Sequence, residues 1–343
     1  MNSISAPSCT ITDEYRATLA FLADPACYPA QPTAVQRIET HMSFVFVAGE
    51  LVYKIKKPIR LEFVDFTSLE ARRQNCEREV AVNQQLAPEV YLGVVPLVRR
   101  PDGKLAWDGE GVPVEWLVVM RRLDQDRLLH HMIDEGKATT ADLDRLCDVL
   151  ARFYMETRRI PISPDGLIDW WREGIAAVER SLTDHAFDLP TADVAPAVEA
   201  LQAFLTEKSD LLAERAEKQR ILDGHGDLRP EHVYLGPPTL LVDRLEFNER
   251  LRWIDPFDEV TFLGLECTRL GADWIAAHLP DGLAERLHEH PPPELLRFYR
   301  CYRACLRARL SIEHMRDPKP RTPERWPRQA REYLDLAARA LPL

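Results

Sequence analysis

A polar segment in the second half of the chain combines residue types that could do chemistry. It reads His-Gly-Asp-Leu-Arg-Pro-Glu-His at residues 225–232, and Asp243 follows sixteen residues after Asp227. Two short apolar runs, residues 233–235 and 240–242, lie between these Asp residues and predict a small hairpin. This spacing suits phosphoryl transfer, because one Asp can orient a substrate hydroxyl while the other holds Mg²⁺ against nucleotide phosphates.

Other catalytic signatures are missing from the sequence. It contains no Gly-x4-Gly-Lys-Ser/Thr phosphate loop, no complete Gly-x-Gly-x-x-Gly fingerprint, no Gly-x-Ser-x-Gly elbow and no His-Glu-x-x-His. The cysteines are odd in number and irregularly spaced, which argues against a disulfide framework and for reduced thiols in the cytoplasm. They are Cys9, Cys27, Cys76, Cys147, Cys267, Cys301 and Cys305.

The composition is that of a soluble globular protein. The chain has 343 residues, of which 45% are hydrophobic and 29% charged, and a formal net charge of −11. An acidic chain is a poor candidate for nucleic-acid binding. The longest uncharged apolar run, near residues 116–120, is far too short to cross a membrane, and residues 1–6 lack the pattern of a signal peptide. We therefore expect no nucleic-acid or membrane partner.

The spacing of apolar residues predicts a β-rich region followed by a helical one. Residues 44–47 and 51–56 alternate as strands around a turn with Gly49. A helix is predicted from Ser68 to Leu86, and two further strands at residues 90–98 and 114–123. After these, the pattern is mostly helical and includes a strongly amphipathic helix at residues 140–157. The sequence therefore predicts an α+β fold.

The segment at residues 225–232 resembles the catalytic loop of aminoglycoside phosphotransferases and related small-molecule kinases, usually His-Gly-Asp-x-x-x-x-Asn. It is most similar to a bacterial subgroup that carries His-Gly-Asp-Leu-Arg-Pro-Glu-His. The resemblance covers about residues 35–320 and implies a two-lobed protein-kinase-like fold. We then expect residues 1–35 to be an extension with a short helix, residues 36–123 a nucleotide-binding N-lobe, and residues 124–343 a helical C-lobe with the catalytic loop and the substrate site.

The resemblance also implies roles for the residues of the catalytic loop. Asp227 matches the catalytic Asp, and Asp243 matches the Asp that binds Mg²⁺. His232 stands where the family usually has a metal-binding Asn, and imidazole is a poor ligand for Mg²⁺. Glu231, or alternatively Glu246, could supply an oxygen ligand instead.

A lysine and a glutamate of the β-rich region match the family's nucleotide-binding pair. Lys54 and Lys56 share one strand face. Lys54 is the better match to the phosphate-binding lysine, because the small apolar Val52 stands two residues before it. Its predicted helix partner is Glu79, with Glu77 as the alternative. We expect an ion pair between Lys54 and Glu79.

Further contacts with the nucleotide follow from the same match. Residues 40–43 would form the turn over the phosphates, with Ser43 donating hydrogen bonds. The backbone near Met120 and Arg122 would bind the adenine. Asp255 and Asp258 would brace the catalytic loop.

The leading interpretation is a phosphotransferase that uses ATP and Mg²⁺ to modify a hydroxyl of a small molecule. Many relatives carry a C-terminal P-loop ATPase that this sequence lacks, so a separately encoded ATPase is a candidate partner. A catalytically impaired nucleotide-binding or partner-binding module is the alternative, favoured by His232. A protein kinase is disfavoured, because residues 243–255 offer no activation segment.

Overall fold

The protein is described by a computed structural model that covers residues 8–9, 12–61, 64–187, 189–317, 320 and 322–343. Residues 1–6, which bear on the signal peptide, lie outside the described residues. The chain divides into two compact units. The first comprises the chain up to Gln125 together with Leu240–Glu249, and the second comprises Asp126–Thr239 and Arg250–Leu343.

Thirteen short strands occur among the described residues. They are β1 Ser8–Cys9, β2 Val35–Glu39, β3 Ser43–Ala48, β4 Leu51–Lys56, β5 Ile59–Leu61, β6 Val64–Asp65, β7 Tyr91–Arg99, β8 Leu105–Trp107, β9 Val112–Arg121, β10 Leu222–Asp223, β11 Val233–Tyr234, β12 Leu240–Leu241 and β13 Trp253–Ile254. Except for the last four, these strands precede the helical part of the chain, as the sequence predicts.

Eleven α-helices are formed by the described residues. They are α1 Asp13–Ala23, α2 Leu69–Asn83, α3 Leu129–Asp134, α4 Thr140–Glu156, α5 Pro164–Leu182, α6 Thr191–Glu207, α7 Ser209–Glu217, α8 Pro256–Arg269, α9 Asp273–Leu287, α10 Pro293–Glu313 and α11 Arg325–Ala338. Among these described helices, none combines the length and apolar character that crossing a membrane requires.

The first unit is built on a six-stranded antiparallel sheet with the strand order β2-β3-β4-β9-β7-β8. A two-residue turn with Gly49 at φ +65° joins β3 to β4 and pairs Ala48 with Leu51. Because side chains alternate along a strand, this register assigns each residue of β4 to one sheet face. Tyr53 and Ile55 enter the core that α1 covers. Lys54 and Lys56 therefore belong to the opposite face.

Helix α2 packs on that opposite face, against β9 and β7. Its first turn is capped by Ser68, whose hydroxyl accepts a hydrogen bond from the N–H of Ala71 at 3.1 Å. A buried ion pair of 2.8 Å joins Arg72 of α2 to Glu115 of β9. These contacts fix the helix on the sheet and so bring Glu79 to the lysines of β4.

The second unit is mainly helical, with α8, α9 and α10 at its centre. Helix α10 packs on α11 and α8, and α9 packs on α8 and α4. Helix α4 coincides with the predicted amphipathic helix, and its predicted apolar stripe is buried: Leu143, Leu146, Leu150 and Tyr154. The predicted α+β fold, with a β-rich N-terminal part and a larger helical C-terminal part, is confirmed.

Candidate functional site

Glu79 binds both lysines of β4, one with each carboxylate oxygen. Lys54 Nζ lies 2.8 Å from Glu79 Oε1, and Lys56 Nζ lies 2.5 Å from Glu79 Oε2. Glu79 is completely buried. The expected pair of Lys54 and Glu79 is thus present, and Lys56, the alternative in the sequence, is its neighbour on the same carboxylate.

Asp243 supplies the second carboxylate to Lys54. Its Oδ1 lies 2.9 Å from Lys54 Nζ, although the two residues are far apart in the sequence. Asp243 adopts a left-handed backbone conformation with φ +60°, which Asp tolerates better than most residues. Its N–H donates to the hydroxyl of Tyr91 at 2.9 Å. The side chain of Asp243 is 46% exposed, so this carboxylate is accessible from solvent.

The charged side chains of β4, Glu79 and Asp243 stabilise one another. Burial alone would lower the pKa of Lys54, but Asp243 and Glu79 hold it well above its usual range. Burial would raise the pKa of Glu79, yet Lys54 and Lys56 bring it below the usual value. Burial would also lower the pKa of Lys56, but Glu246 and Glu79 raise it above its usual value. The two lysines therefore stay protonated and Glu79 stays ionised at neutral pH.

Lys56 has a further partner that the sequence does not reveal. Its Nζ lies 2.6 Å from Glu246 Oε1. Both residues are buried, Lys56 with 1% and Glu246 with 5% of its surface exposed. The sequence offered Glu246 as an alternative oxygen ligand for a metal, whereas in the structure its carboxylate binds Lys56.

The second unit holds the loop at residues 225–232. Gly226 has φ +87°, a conformation that favours glycine. A Cβ on Gly224 would lie 2.3 Å from Ile254 Cγ2 and 2.8 Å from Glu259 Oε2, so no side chain fits there. The two glycines allow the loop backbone to approach Glu259 closely.

Glu259, in the first turn of α8, binds this loop directly. Its carboxylate accepts the N–H of His225 at 3.0 Å, the N–H of Gly226 at 2.6 Å and the hydroxyl of Tyr154 at 2.8 Å. The sequence assigned the bracing role to Asp255 and Asp258 instead.

Asp255 and Asp258 bind arginines of the helical unit. Asp255 pairs with Arg215 at 2.5 Å and caps α8 through the N–H of Phe257. Asp258 makes two hydrogen bonds with Arg303, of 2.7 and 2.5 Å. Their contacts therefore stabilise the helices, and the residue in contact with the loop is their neighbour Glu259.

The carboxylate of Asp227 is paired with Arg229 of its own loop. Arg229 Nε donates to Asp227 Oδ2 at 3.0 Å, and Arg229 Nη1 lies 2.6 Å from Glu231 Oε1. Burial would raise the pKa of Asp227, but the neighbouring Arg229 lowers it more, so the pKa lies below the usual value. Asp227 is therefore ionised at neutral pH and can accept a proton.

His232 contacts the same two residues through its ring. Its Nδ1 lies 2.7 Å from the backbone oxygen of Asp227, and its Nε2 lies 3.3 Å from Arg229 Nη2. A carbonyl oxygen can only accept, so Nδ1 carries the hydrogen, and a neutral ring then accepts from Arg229 at Nε2. In this arrangement His232 supports the backbone of Asp227.

The remaining predicted nucleotide contacts belong to the first unit. Ser43 is buried, and its N–H donates to the hydroxyl of Thr40 at 3.0 Å. Met120 pairs with Val52 across β9 and β4. The N–H of Arg122 donates to the carbonyl of Glu50 at 2.9 Å, so that N–H is already in use.

The predicted metal ligands do not form a dense cluster of their own. Within the described ranges, no group of three or more His, Cys, Asp or Glu side chains could together hold a metal ion. Asp243 in the first unit, and Glu231 and His232 in the second, stay predictions as metal ligands.

Sequence comparison finds relatives without an assigned activity. No protein-family model matches the chain. An uncharacterized protein of Mycobacterium tuberculosis is 33% identical over 290 residues, which cover 82% of this chain and 55% of the relative. The chain therefore spans about half the length of the curated relatives it matches.

Comparison with solved structures finds kinases. A choline/ethanolamine kinase family protein from Mesorhizobium loti matches with a TM-score of 0.53 and 15% identity, over 94% of this chain and 93% of the other. A glucosamine kinase matches with a TM-score of 0.52 and 16% identity, over 98% and 82% of the two chains. The resemblance seen in the catalytic-loop segment is confirmed at the level of the fold: this chain has the fold of the kinase-like small-molecule phosphotransferases.

Proposed function

We propose that this protein is a phosphotransferase that uses ATP and Mg²⁺ to phosphorylate a hydroxyl group of a small molecule. The observation that carries the proposal is the position of Lys54 between Glu79 and Asp243, at 2.8 and 2.9 Å. The buried Glu79 holds the ammonium group of Lys54 beside the carboxylate of Asp243, and solvent can reach that carboxylate. Phosphoryl transfer needs this pairing, because it depends on positioning and charge stabilisation.

Each residue has a defined part in this proposal. Lys54 binds the nucleotide phosphates, and Glu79 orients it. Asp243 would hold Mg²⁺, since a partly exposed carboxylate oxygen is the ligand type that this ion prefers. The ion would neutralise negative charge on the phosphates. Asp227, ionised beside Arg229, accepts the proton of the substrate hydroxyl.

The N–H groups of Ser43 and Arg122 already bind Thr40 and Glu50. In this proposal the hydroxyl of Ser43 would therefore contact the phosphates, and the backbone carbonyls near Met120 and Arg122 would contact the adenine. Glu231 is the oxygen candidate for a second ion.

We propose that the substrate is a small cationic molecule. The kinase neighbours are named for choline, ethanolamine and glucosamine, which all carry a hydroxyl group and a nitrogen that is cationic at neutral pH. The net charge of −11 is compatible with a cationic substrate. Amino alcohols and amino sugars, including aminoglycosides, are therefore the first compounds to test.

A catalytically impaired module that binds a nucleotide or a partner protein, such as a P-loop ATPase, is the second candidate. The observation that favours it is His232, which stands at the usual asparagine position with its ring directed to Asp227 and Arg229. On this reading, ATP could bind without being turned over.

Two measurements separate these functions. Calorimetry with ATP, with and without Mg²⁺, tests nucleotide binding, and an ADP-release screen over amino alcohols, aminoglycosides, sugars and nucleosides tests transfer. We expect binding only with a divalent ion and ADP release with at least one compound. Lys54→Met should weaken binding and Asp243→Ala should abolish metal-dependent binding. Binding without any ADP release would favour the impaired module, and no binding at all would refute the proposed activity.

A further inference from the structure

Five ionisable side chains of the first unit form one row of alternating charge, here called the charge cluster. In order, they are Asp243, Lys54, Glu79, Lys56 and Glu246, and successive nitrogen and oxygen atoms are 2.5 to 2.9 Å apart. The proposed function uses the first three. It gives no role to Lys56 and Glu246, although burying a second lysine and a second glutamate is costly.

The charge cluster is exposed at its Asp243 end and buried from Glu79 onward. The side chain of Asp243 is 46% exposed and that of Lys54 14%, whereas Glu79, Lys56 and Glu246 are 0%, 1% and 6% exposed. A ligand can reach the end with Asp243 and Lys54. It cannot reach Lys56 or Glu246 without a large rearrangement. Their contribution must therefore act through the residues they touch.

Lys56 and Glu246 support two parts of the proposed nucleotide site. One is Glu79, and the other is the segment that carries Asp243. Lys56 occupies Glu79 Oε2 while Lys54 occupies Oε1, so Glu79 keeps one ammonium partner if Lys54 turns toward a phosphate. Glu246 stands three residues after Asp243 in the segment Leu240–Glu249, which belongs to the first unit. Its bond to Lys56 therefore attaches that segment to β4 at a second point, beyond the bond from Asp243 to Lys54.

We propose that Lys56 and Glu246 are positioning residues of the nucleotide site: their ion pair holds the segment Leu240–Glu249, and with it Asp243, and keeps Glu79 in place beside Lys54. The ligand of this site is ATP with Mg²⁺ only under the proposed function, on which this inference rests. It assigns Lys56 no contact with the nucleotide. Lys54→Met and Lys56→Met, two residues apart on one strand, should therefore fail in different ways.

The pair of Lys56 and Glu246 gives a direct prediction. Lys56 and Glu246 are buried partners of opposite charge type, 2.6 Å apart. Lys56→Met leaves the buried carboxyl of Glu246 without its partner, so the segment should open more often. Removing Glu246 as well, in Lys56→Met/Glu246→Leu, replaces the whole pair with apolar side chains of similar size. Replacement of a whole buried pair is commonly tolerated, whereas removal of one partner is not.

The experiment combines two readouts on the full chain. Hydrogen–deuterium exchange of residues 240–249 without nucleotide reports how firmly the segment is held, and calorimetry reports the affinity for ATP with Mg²⁺. We expect Lys56→Met to speed exchange there, and to weaken binding, by at least about tenfold. Lys54→Met should weaken binding but change the exchange much less, because Glu246 still binds Lys56.

Lys104→Met is the matched control. Lys104 is an exposed lysine of the same unit, loses the same charge and lies 4.0 Å from Asp102 outside the charge cluster. It should leave exchange and affinity close to wild type. The double variant Lys56→Met/Glu246→Leu should recover most of the protection from exchange and most of the affinity for ATP that Lys56→Met loses.

The outcomes distinguish this inference from the proposed function. Wild-type exchange at residues 240–249 in Lys56→Met overturns the inference, and so does a double variant that is no better than the single. If Lys56→Met does not fold, Glu246→Gln replaces it with the same expected direction. If the wild-type protein binds no nucleotide, the proposed function fails, while the exchange measurement alone still decides whether the pair holds Asp243.

Discussion

Asn83 binds both backbone polar groups of Arg244, the residue after Asp243. Its side-chain oxygen accepts the N–H of Arg244 at 2.8 Å, and its amide donates to the carbonyl of Arg244 at 3.1 Å. Asn83 lies one helical turn beyond Glu79 on α2 and is completely buried. One helix thus supplies both the partner of Lys54 and the support for the backbone that carries Asp243.

Asn83→Ala should therefore lower the free energy of unfolding. The change leaves a buried N–H and a buried C=O without their partner, which costs about 2–4 kcal/mol in total. Urea denaturation measures the loss. Gln74→Ala is the control on the same helix, since Gln74 makes only an exposed hydrogen bond to Glu70. Equal losses in the two variants would show that Asn83 does not carry this support.

Asp227→Asn should remove activity and keep the fold. The amide has the shape of the carboxylate but cannot accept the substrate proton, so turnover should fall by roughly 100-fold or more. ATP binding should stay near wild type. Steady-state ADP release and calorimetry test the two parts. The exposed Asp169→Asn is the charge-matched control, and wild-type turnover in Asp227→Asn would remove Asp227 from the chemistry.

Arg229→Met should move the acidic limb of the pH profile. Burial raises the pKa of Asp227, and Arg229 is the main group that lowers it. Without Arg229 the pKa rises, so Asp227 is protonated at a higher pH and kcat/KM is lost earlier as the pH falls. A ¹³C NMR titration of Asp227 checks the pKa without any substrate.

Two variants complete this pH test. Arg229→Lys keeps a cation and should keep most of the wild-type profile. Arg172→Met removes an exposed arginine, which pairs with Asp169 on α5, and should change nothing. An Asp227 pKa that is the same in Arg229→Met and wild type would contradict the prediction.

Glu259→Ala should be among the most destabilising single changes in the second unit. It removes the acceptor for two backbone N–H groups and for the hydroxyl of Tyr154, at a cost of about 3 kcal/mol or more. Glu259→Gln retains one acceptor oxygen and should lose clearly less. Guanidinium denaturation of both variants decides the point, with the exposed Glu285→Ala as control. Similar losses in Gln and Ala would argue against the hydrogen bonds as the cause.

His232→Asn should keep or raise activity. The asparagine amide can donate to the backbone oxygen of Asp227 as the ring Nδ1 does now. His232→Leu loses this donor and should lose about tenfold in turnover. Steady-state kinetics of the two variants provide the comparison. If Asn and Leu are equally impaired, the ring itself has a role that hydrogen bonding to Asp227 does not explain.

The resemblance to the small-molecule kinases predicted Lys54 and Glu79. Strand alternation only places Lys54 and Lys56 on the same face, and the match to the family, with Val52 two residues before the lysine, chose between them. The pair of Lys56 and Glu246 could not be predicted in this way, because 190 residues separate them. Only the packing of the segment Leu240–Glu249 within the first unit brings them together.

Distance along the chain also explains why the contact of Glu259 with the loop was not predicted. Acidic residues at the start of a helix normally serve its own N–H groups, as Asp255 does for α8. Nothing in the local pattern indicates that Glu259 instead binds a loop more than thirty residues earlier in the chain. The edge strands β2 and β8 escaped prediction for a different reason: β2 has three exposed residues in a row, and β8 has only three residues.

The turn at Gly49 gives this protein a sensitivity to insertions that its surface position would not suggest. It contains two residues between paired strands, and its length fixes which face each side chain of β4 takes. One residue added there, with the β3 pairing shifted by one, would direct Tyr53 and Ile55 toward α2 and both lysines toward the apolar core. Natural or engineered length changes should therefore be found in other loops, and homologous chains should align through this hairpin without gaps.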